Sequence, residues 1–430
     1  MYKYTLITQF LHIFAIRQQR INLMSSFKQQ LQERELQRLK DRPRVILKWA
    51  TGCGKSKMTI DLINNKAENG NLKILFVVAE RAHIQNWEDE FSKWHLRRDK
   101  VATYICCYAS FHKYTNISFD LVVFDEAHHL FSPKRWAALE EMKESGNIHD
   151  VYLLSATLSR DKQDRIEELL STFTTSTVTL KDAIKENVLP DPKVYVVEME
   201  LNNTQTNQEI KIGKIANPPM VNWEDRAKYI YSKKPCIIRC TEAQKYIYYT
   251  NTMEYWKQRY QRSHNQFQHN MWVNTGSLRK RYLGELKTAA VYNLLQKIKH
   301  KRYVCFCTSI NQADMLSSTH TISSKKGANR NQYIINSFNN KYINSIYAVG
   351  MITEGMNLTD IQIGIIVQLD GKERLFIQKF GRSLRAQDPI TIIFYYKGTQ
   401  DEKYLKNALE NIDSKYVKFI NTSQLKDLKL

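Results

Sequence analysis

Disulfide and zinc chemistry are the first things this sequence does without. Its seven cysteines are Cys53, Cys106, Cys107, Cys236, Cys240, Cys305 and Cys307, an odd number with no C-x-x-C pair. That spacing excludes a zinc cluster, and thiols set in apolar runs fit a reducing, intracellular compartment better than a disulfide framework. Long apolar runs are missing as well. No stretch reaches the ~18 to 20 residues of a membrane span, so no membrane partner is expected. Residues 4–16, YTLITQFLHIFAI, are interrupted by Gln9 and His12, and no small-residue cleavage site follows, so they are not read as a secretory signal. Met24 begins a better-formed start with Ser25 or Ser26 as helix cap, and residues 1–26 are set aside as an N-terminal extension.

Acidic side chains are also short. Against 64 Lys and Arg there are 43 Asp and Glu, giving a formal net charge of +21 and a pI near 9.5. A surplus of that size implies a polyanionic partner, most often nucleic acid, although a generally basic surface is the plainer alternative. The surplus is uneven. From Arg226 to Arg302, 17 basic residues stand against three acidic ones, so +14 of the +21 falls in 77 residues. Tyr246, Tyr248, Tyr249, Tyr255, Trp256, Tyr260 and Trp272 are interleaved there with Lys245, Lys257, Arg259 and Arg262, and Arg279, Lys280 and Arg281 follow. Basic groups neutralise phosphates while aromatic faces stack on bases, each worth roughly 1 to 3 kcal/mol. The competing reading makes the aromatics helix core and the lysines a solvated face.

What is present organises the rest. At 430 residues, 43% hydrophobic and 25% charged, the chain has the composition of an ordinary globular protein with room for two or three domains. Val45 to Ser56, VILKWATGCGKS, reads as a buried strand, a loop holding Thr51, Gly52, Cys53 and Gly54, and Lys55-Ser56 opening a helix. Glycines let backbone N–H groups approach phosphate, the helix N-terminus favours the anion, Lys55 brings charge to the β/γ-phosphates and Ser56 can bind Mg²⁺. The full pattern has glycine at position 49, where this chain has Trp49. Cys53, beside Lys55 and a helix N-terminus, could be an acidified thiol, or simply a small residue that fits.

Leu121 to His128, LVVFDEAH, places Asp125 at the end of an apolar strand to hold Mg²⁺, with Glu126 beside it to polarise water. Further strands are expected at Leu72 to Val78, Val101 to Tyr108 and Val151 to Leu154, with helices over Phe27 to Lys40 and His83 to Trp94. This alternation predicts a parallel sheet with ligands at its carboxyl edge, where Ala79 to His83, and Arg81 among them, could track a nucleic-acid backbone.

The ordered set ATGCGKS, VVAERAHIQNW, DEAH and SAT resembles the first motor lobe of superfamily 2 helicases. The resemblance implies that His128, Ser155 and Thr157 couple nucleotide to nucleic acid. It also makes Gln29, Gln30 and Gln32 the candidates for reading adenine. In the second half, Tyr303 to Cys307 with Thr308 and Ser309 resembles motif IV. Ser345 to Val349 and Met351 to Asn357, with Thr353, Gly355 and Asn357, resemble motif V, and Phe376 to Arg385 resembles motif VI. In that last box Gln378, Arg382 and Arg385 have helix spacing that puts them on one face. The resemblance implies that the two arginines reach the γ-phosphate from the opposite lobe as fingers.

The expected fold class is therefore α/β: two RecA-like parallel-sheet lobes with a cleft between them and a basic, largely helical insertion. Lobe 1 is placed at residues 27–182 and lobe 2 at 183–430, with the insertion at about 200–302. Trp87 in IQNWEDEF, the segment LKDAIKENVLP and the QKFGRSLR box resemble the DNA-acting branch that holds restriction-enzyme motor subunits and phage recombination helicases. The RNA-helicase box PTRELA is absent, and the chain stops 45 residues after Arg385. The expectation is an ATP- and Mg²⁺-dependent DNA helicase or translocase, its compact length suiting a viral or phage replication factor. An RNA helicase, and a non-catalytic nucleic-acid-binding protein with a vestigial nucleotide site, are the alternatives. Oligomeric state is left open.

Overall fold

Continuous runs such as Leu72–Val78 (LKILFVV) carry no polar alternation, because a strand covered by helices on both faces has no wet side. The computed structural model describes residues 27–350, 358–371, 380–381, 386, 388–410 and 412–428. Its first sheet is built from β1 (Arg44–Trp49), β2 (Leu72–Val78), β3 (Val101–Cys107), β4 (Phe119–Asp125), β5 (Ile148–Leu154) and β6 (Thr174–Val178), in the order β3-β2-β4-β5-β1-β6. All of its strand pairs are parallel, with registers such as Val45↔Tyr152 and Phe124↔Leu153. Around it lie α1 (27–39), α2 (Lys55–Lys66), α3 (Ala82–Lys93), α4 (Pro133–Glu144), α5 (Arg160–Leu170) and α6 (Leu180–Lys185).

A second parallel sheet follows the crossing of the chain at residues 186–192. It takes β7 (Lys193–Met199), β11 (Tyr303–Cys307), β12 (Thr321–Ser323), β13 (Ser345–Val349), β14 (Ile363–Ile366), β15 (Ile390–Tyr396) and β16 (Val417–Asn421) in the order β12-β13-β11-β14-β15-β7-β16. Its helices are α10 (Thr288–Ile298), α11 (Ile310–Leu316), α12 (Ala328–Asn339) and α13 (Gln400–Leu409). The two sheets are the RecA-like lobes.

Between β7 and α10 the chain leaves the second sheet. A small mixed sheet comes first, with β10 (Cys236–Cys240) antiparallel to β8 (Gln208–Ile212) and parallel to β9 (Met220–Asn222), and α7 (Arg226–Ser232) beside it. Then α8 (Glu242–Ser263) and α9 (Gln266–Leu286), joined by two residues, fold back on one another. Thr241 caps α8 in a reciprocal capping box with Gln244, and Asn265 caps α9. No residue of α8 is fully buried, and those of α9 that are begin only at Thr275, so the distal half of the hairpin stands clear of the lobe. Its own aromatics hold it together: Tyr260 stacks on Trp272 and meets His269 edge-on, and Trp256 meets Phe267 edge-on.

A buried ion pair fixes the base of this hairpin. Lys287, between α9 and α10, donates to Asp401 Oδ2 at 2.7 Å, Gln368 Oε1 at 2.7 Å and the Phe394 carbonyl at 3.1 Å, and both charged side chains are wholly buried. Lys280 pairs with Asp370, and the Gln400 N–H donates to the Tyr246 hydroxyl. Trp49 also finds its explanation here. It ends β1 fully buried, its indole donating to Ser176 Oγ at 2.8 Å, and Ser176 in turn donates to Glu35 of α1 at 2.8 Å. Its side chain is part of the core that seats α1, outside the phosphate loop. Among the described residues no helix is long and apolar enough to cross a membrane.

Candidate nucleotide site and interlobe cleft

The parallel arrangement brings the carboxyl ends of β1, β4 and β5 to one rim, where the loops after them meet. After β1, Gly54 adopts φ 94°, and a Cβ there would fall 2.2 Å from Gln32 Nε2, so only glycine serves. Lys55 Nζ donates to the Trp49 carbonyl at 2.8 Å, curling back over the loop it belongs to. From α1, Lys28 donates to the Gly52 carbonyl at 2.8 Å and Gln32 to the Cys53 carbonyl at 3.5 Å. Of the three adenine-reading candidates, Gln32 is thus buried against the loop, while Gln29 bonds Glu33 on the helix surface. Cys53 is fully buried, and burial pushes its thiol up to about 11 despite Lys55 and Lys28 nearby, so of the two readings it is the small residue that fits.

Asp125 ends β4. Its Oδ1 accepts the Glu126 N–H at 3.0 Å and its Oδ2 accepts the Trp87 indole N–H at 3.0 Å. Burial and the neighbouring Glu126 raise its carboxyl above the ordinary range, against the pull of His83, Trp87 and Lys55. Behind it the Tyr108 hydroxyl donates to the Asp125 carbonyl at 3.1 Å. Glu126 sits at φ 49°, ψ 54°, a left-handed backbone that strains a non-glycine residue by about 1 to 3 kcal/mol. That turn carries its Oε2 to 3.4 Å from His128 Nδ1. Ser155, fully buried, accepts the Thr157 N–H at 3.2 Å, and the Thr157 hydroxyl is buried with no hydrogen-bond partner among the described residues.

A cleft of about 2100 Å³ opens over these groups. Thr51, Gly52, Gly54, Lys55, Ser56, Asp125 and Glu126 line one wall, with His83 and Trp87. The other wall is α12 of lobe 2, through Asn331, Gln332 and Asn336, with Thr359, Asp360 and Ala386. Gly381, inside the QKFGRSLR box, lies so close to the loop that a Cβ on it would be 2.8 Å from Thr51 Cβ. Gln378, Arg382 and Arg385, like Thr353, Gly355 and Asn357, lie outside the described residues. The donor set fits a magnesium nucleotide: a carboxylate and a hydroxyl suit a hard cation, and a positive-φ loop with a lysine at a helix N-terminus suits phosphate. His83, 5% exposed, adds two ring nitrogens without a hydrogen-bond partner among the described residues.

The remaining candidates divide. Arg81 is exposed at the N-terminus of α3 and borders a second hollow of about 380 Å³ with Gln85 and Tyr114. Arg259, Arg262 and Arg281 are exposed on the hairpin. Arg279 is buried and donates to Thr250, and Lys280 is taken up by Asp370, so these two are structural. Thr308 presses against Gly284, and Ser309 donates to Glu285, so α9 covers both. Most of the interleaved aromatics pack helix to helix, with Tyr255 half exposed. Sequence reading missed the contact of Trp87 with Asp125 and the place of Lys28 and His83; the only signal available was their spacing along α1 and α3.

The family model for the type III restriction enzyme res subunit matches residues 13–160, and that for the helicase conserved C-terminal domain matches residues 286–387. Among solved structures, S. cerevisiae Dbp5 bound to RNA and ADP BeF3 is similar at 12% identity and TM-score 0.57, over 92% of this chain and 90% of that one. Mss116p bound to ssRNA and AMP-PNP follows at 14% and 0.52, over 90% and 73%. The Pyrococcus furiosus Hef helicase domain is similar at 12% and 0.50, over 88% and 98%. No curated protein matches the sequence.

Proposed function

The chain is a superfamily 2 helicase, and from that premise we propose that it hydrolyses ATP with Mg²⁺ to move along or unwind nucleic acid, DNA in preference to RNA. The observation that carries this is the approach of Gly381 to Thr51, which sets a residue of the QKFGRSLR box against the phosphate loop of the other lobe.

Lys55 leaves the Trp49 carbonyl for the β/γ-phosphates when nucleotide enters, and Thr51, Gly52, Cys53 and Gly54 turn backbone N–H groups toward them. Ser56 and Asp125 hold Mg²⁺, which when bound neutralises charge on the phosphate oxygens. Glu126 orients the attacking water, and its strained turn and the His128 contact aim the carboxylate. Arg382 and Arg385 bring positive charge to the transferred phosphoryl from lobe 2, with Gln378 on the same face and Gly355 and Asn357 beside the nucleotide. Thr157, with its unpaired buried hydroxyl, and Ser155 relay lobe closure to the bound strand. Arg81, Thr353 and the exposed Arg259, Arg262 and Arg281 grip phosphates. The basic excess supports a nucleic acid of either kind, while the likeness of IQNWEDEF and QKFGRSLR to the DNA-acting branch and the lack of PTRELA favour DNA. The seven free cysteines support action in a reducing compartment.

ATP turnover measured with single-stranded DNA, duplex DNA, branched DNA and RNA tests the reading. DNA is expected to stimulate most, and Lys55→Ala or Glu126→Gln to lower stimulated turnover by about 100-fold or more while nucleic-acid binding persists. Stimulation by RNA alone selects an RNA helicase. Undiminished turnover in both variants overturns the motor.

A further inference from the structure

Asp125 does not stand alone at the end of β4. Both of its carboxylate oxygens already receive N–H groups, one from Glu126 next in sequence and one, at 3.0 Å, from an indole on a different element. That indole belongs to Trp87, 4% exposed, whose ring is wedged between Phe76 at 4.8 Å and Phe91 at 5.7 Å. Its orientation is therefore set by the lobe 1 core and does not follow the carboxylate. Four residues earlier on the same face of α3 stands His83, buried in the cleft wall, its ring nitrogens without a hydrogen-bond partner among the described residues. One face of one helix thus supplies the indole N–H that holds the metal-holding acid and an imidazole in the cleft wall.

We infer that Trp87 is a positioning residue for magnesium: its indole N–H pins Asp125 Oδ2 in the rotamer that serves the cation, and His83 completes the polar wall beside it. The inference rests on the nucleotide reading above and goes further, since it assigns metal affinity to a residue that touches neither metal nor nucleotide. A free carboxylate at the end of a strand samples several rotamers, and each that turns away lowers the fraction ready to bind. Outer partners that fix a ligand carboxylate usually change metal affinity by roughly 10- to 100-fold when removed.

The same helix contains its own control. The Trp94 indole donates to Glu90 at 2.8 Å, a bond of the same chemistry that does not involve Asp125. In Trp87→Phe an aromatic ring still faces Phe76 and Phe91 while the indole N–H donor is lost. Fluorescent ADP binding, titrated with Mg²⁺ on the full chain, should show a midpoint about 10-fold higher in Trp87→Phe, with binding in EDTA unchanged and Trp94→Phe like wild type. An Mg²⁺ midpoint in Trp87→Phe equal to wild type overturns the inference and leaves the nucleotide reading intact. Binding in the wild-type chain that is indifferent to Mg²⁺ overturns both. A second measurement needs no variant at the site: with ¹⁵N-indole labelling of the seven tryptophans, one signal shifted by a carboxylate acceptor should move when Mg²⁺ and ADP are added together. Seven unmoved indole signals would equally overturn it.

Discussion

Cys53 shows how far position along the chain and chemical behaviour can part company. It occupies a phosphate loop beside Lys55, yet burial outweighs the lysine charges and its thiol is held near 11. Iodoacetamide at pH 7.5 should therefore leave it unlabelled in the folded chain and label it in urea, as read by mass spectrometry. Glu35 makes the opposite case. Burial raises its carboxyl, but hydrogen bonds from Arg38 and Ser176 and the charges of Arg38 and Arg34 together bring it below the usual value. A depressed carboxyl stabilises the fold above its unfolded value, and that share is lost as pH falls through the folded one. Glu35→Ala should thus lower stability by roughly 1 to 3 kcal/mol at pH 7, and the gap in thermal midpoint to wild type should narrow in acid. Sequence alone marked Lys55, Asp125 and Glu126 because their motif is local. It could not mark Glu35, Ser176 and Trp49 as one buried line, since those three residues come from α1, β6 and β1 and meet only once the sheet closes.

Strands were the most legible elements. Leu72–Val78 falls at its expected bounds and the strand expected over Val101 to Tyr108 ends one residue early, at Cys107, because buried parallel strands are unbroken apolar runs flanked by turns. The three-stranded sheet at β8, β9 and β10 was not anticipated: its strands are three to five residues long and sit inside a basic segment read as helical. The pattern LRKRYLGELKTAAVYNLLQKIKHKR is helical along its length, yet the helix breaks at Lys287, where the chain turns a charge inward to Asp401. That pair should matter more than any exposed one. Lys287→Met leaves Asp401 buried without its counter-charge and should cost about 3 to 5 kcal/mol, seen as a lower urea midpoint. Burial is also what holds the Lys287 ammonium below its usual value, with Asp401 working against the shift.

For the molecule as a whole, the charge excess and the cleft make separate predictions. Reversing Arg259, Arg262 and Arg281 to Glu should flatten the slope of log affinity for single-stranded DNA against log salt by about 2, measured by fluorescence anisotropy. Arg279→Met, inside the hairpin, should instead lower thermal stability and leave that slope alone. Gly381→Val would force a side chain into Thr51 and keep the lobes from their close approach, so stimulated turnover should fall roughly 100-fold while DNA binding survives. The two-lobe architecture was readable because its motifs recur in order along the chain. How the lobes approach one another was not, since it depends on a glycine contact between residues 330 positions apart.

The rooting of α8 and α9 in lobe 2 has a mechanical corollary. With 22 and 21 residues the hairpin extends roughly 30 Å, and Lys287, Lys280 and Tyr246 clamp its foot to the sheet, so it turns with that sheet as one piece. A pivot of lobe 2 through about 15° would sweep the far end, with Arg259 and Arg262 near it, across something like 8 Å. A pivot that moves the foot of the hairpin little would become, at the tip, a stroke of roughly two 3.4 Å base-pair steps.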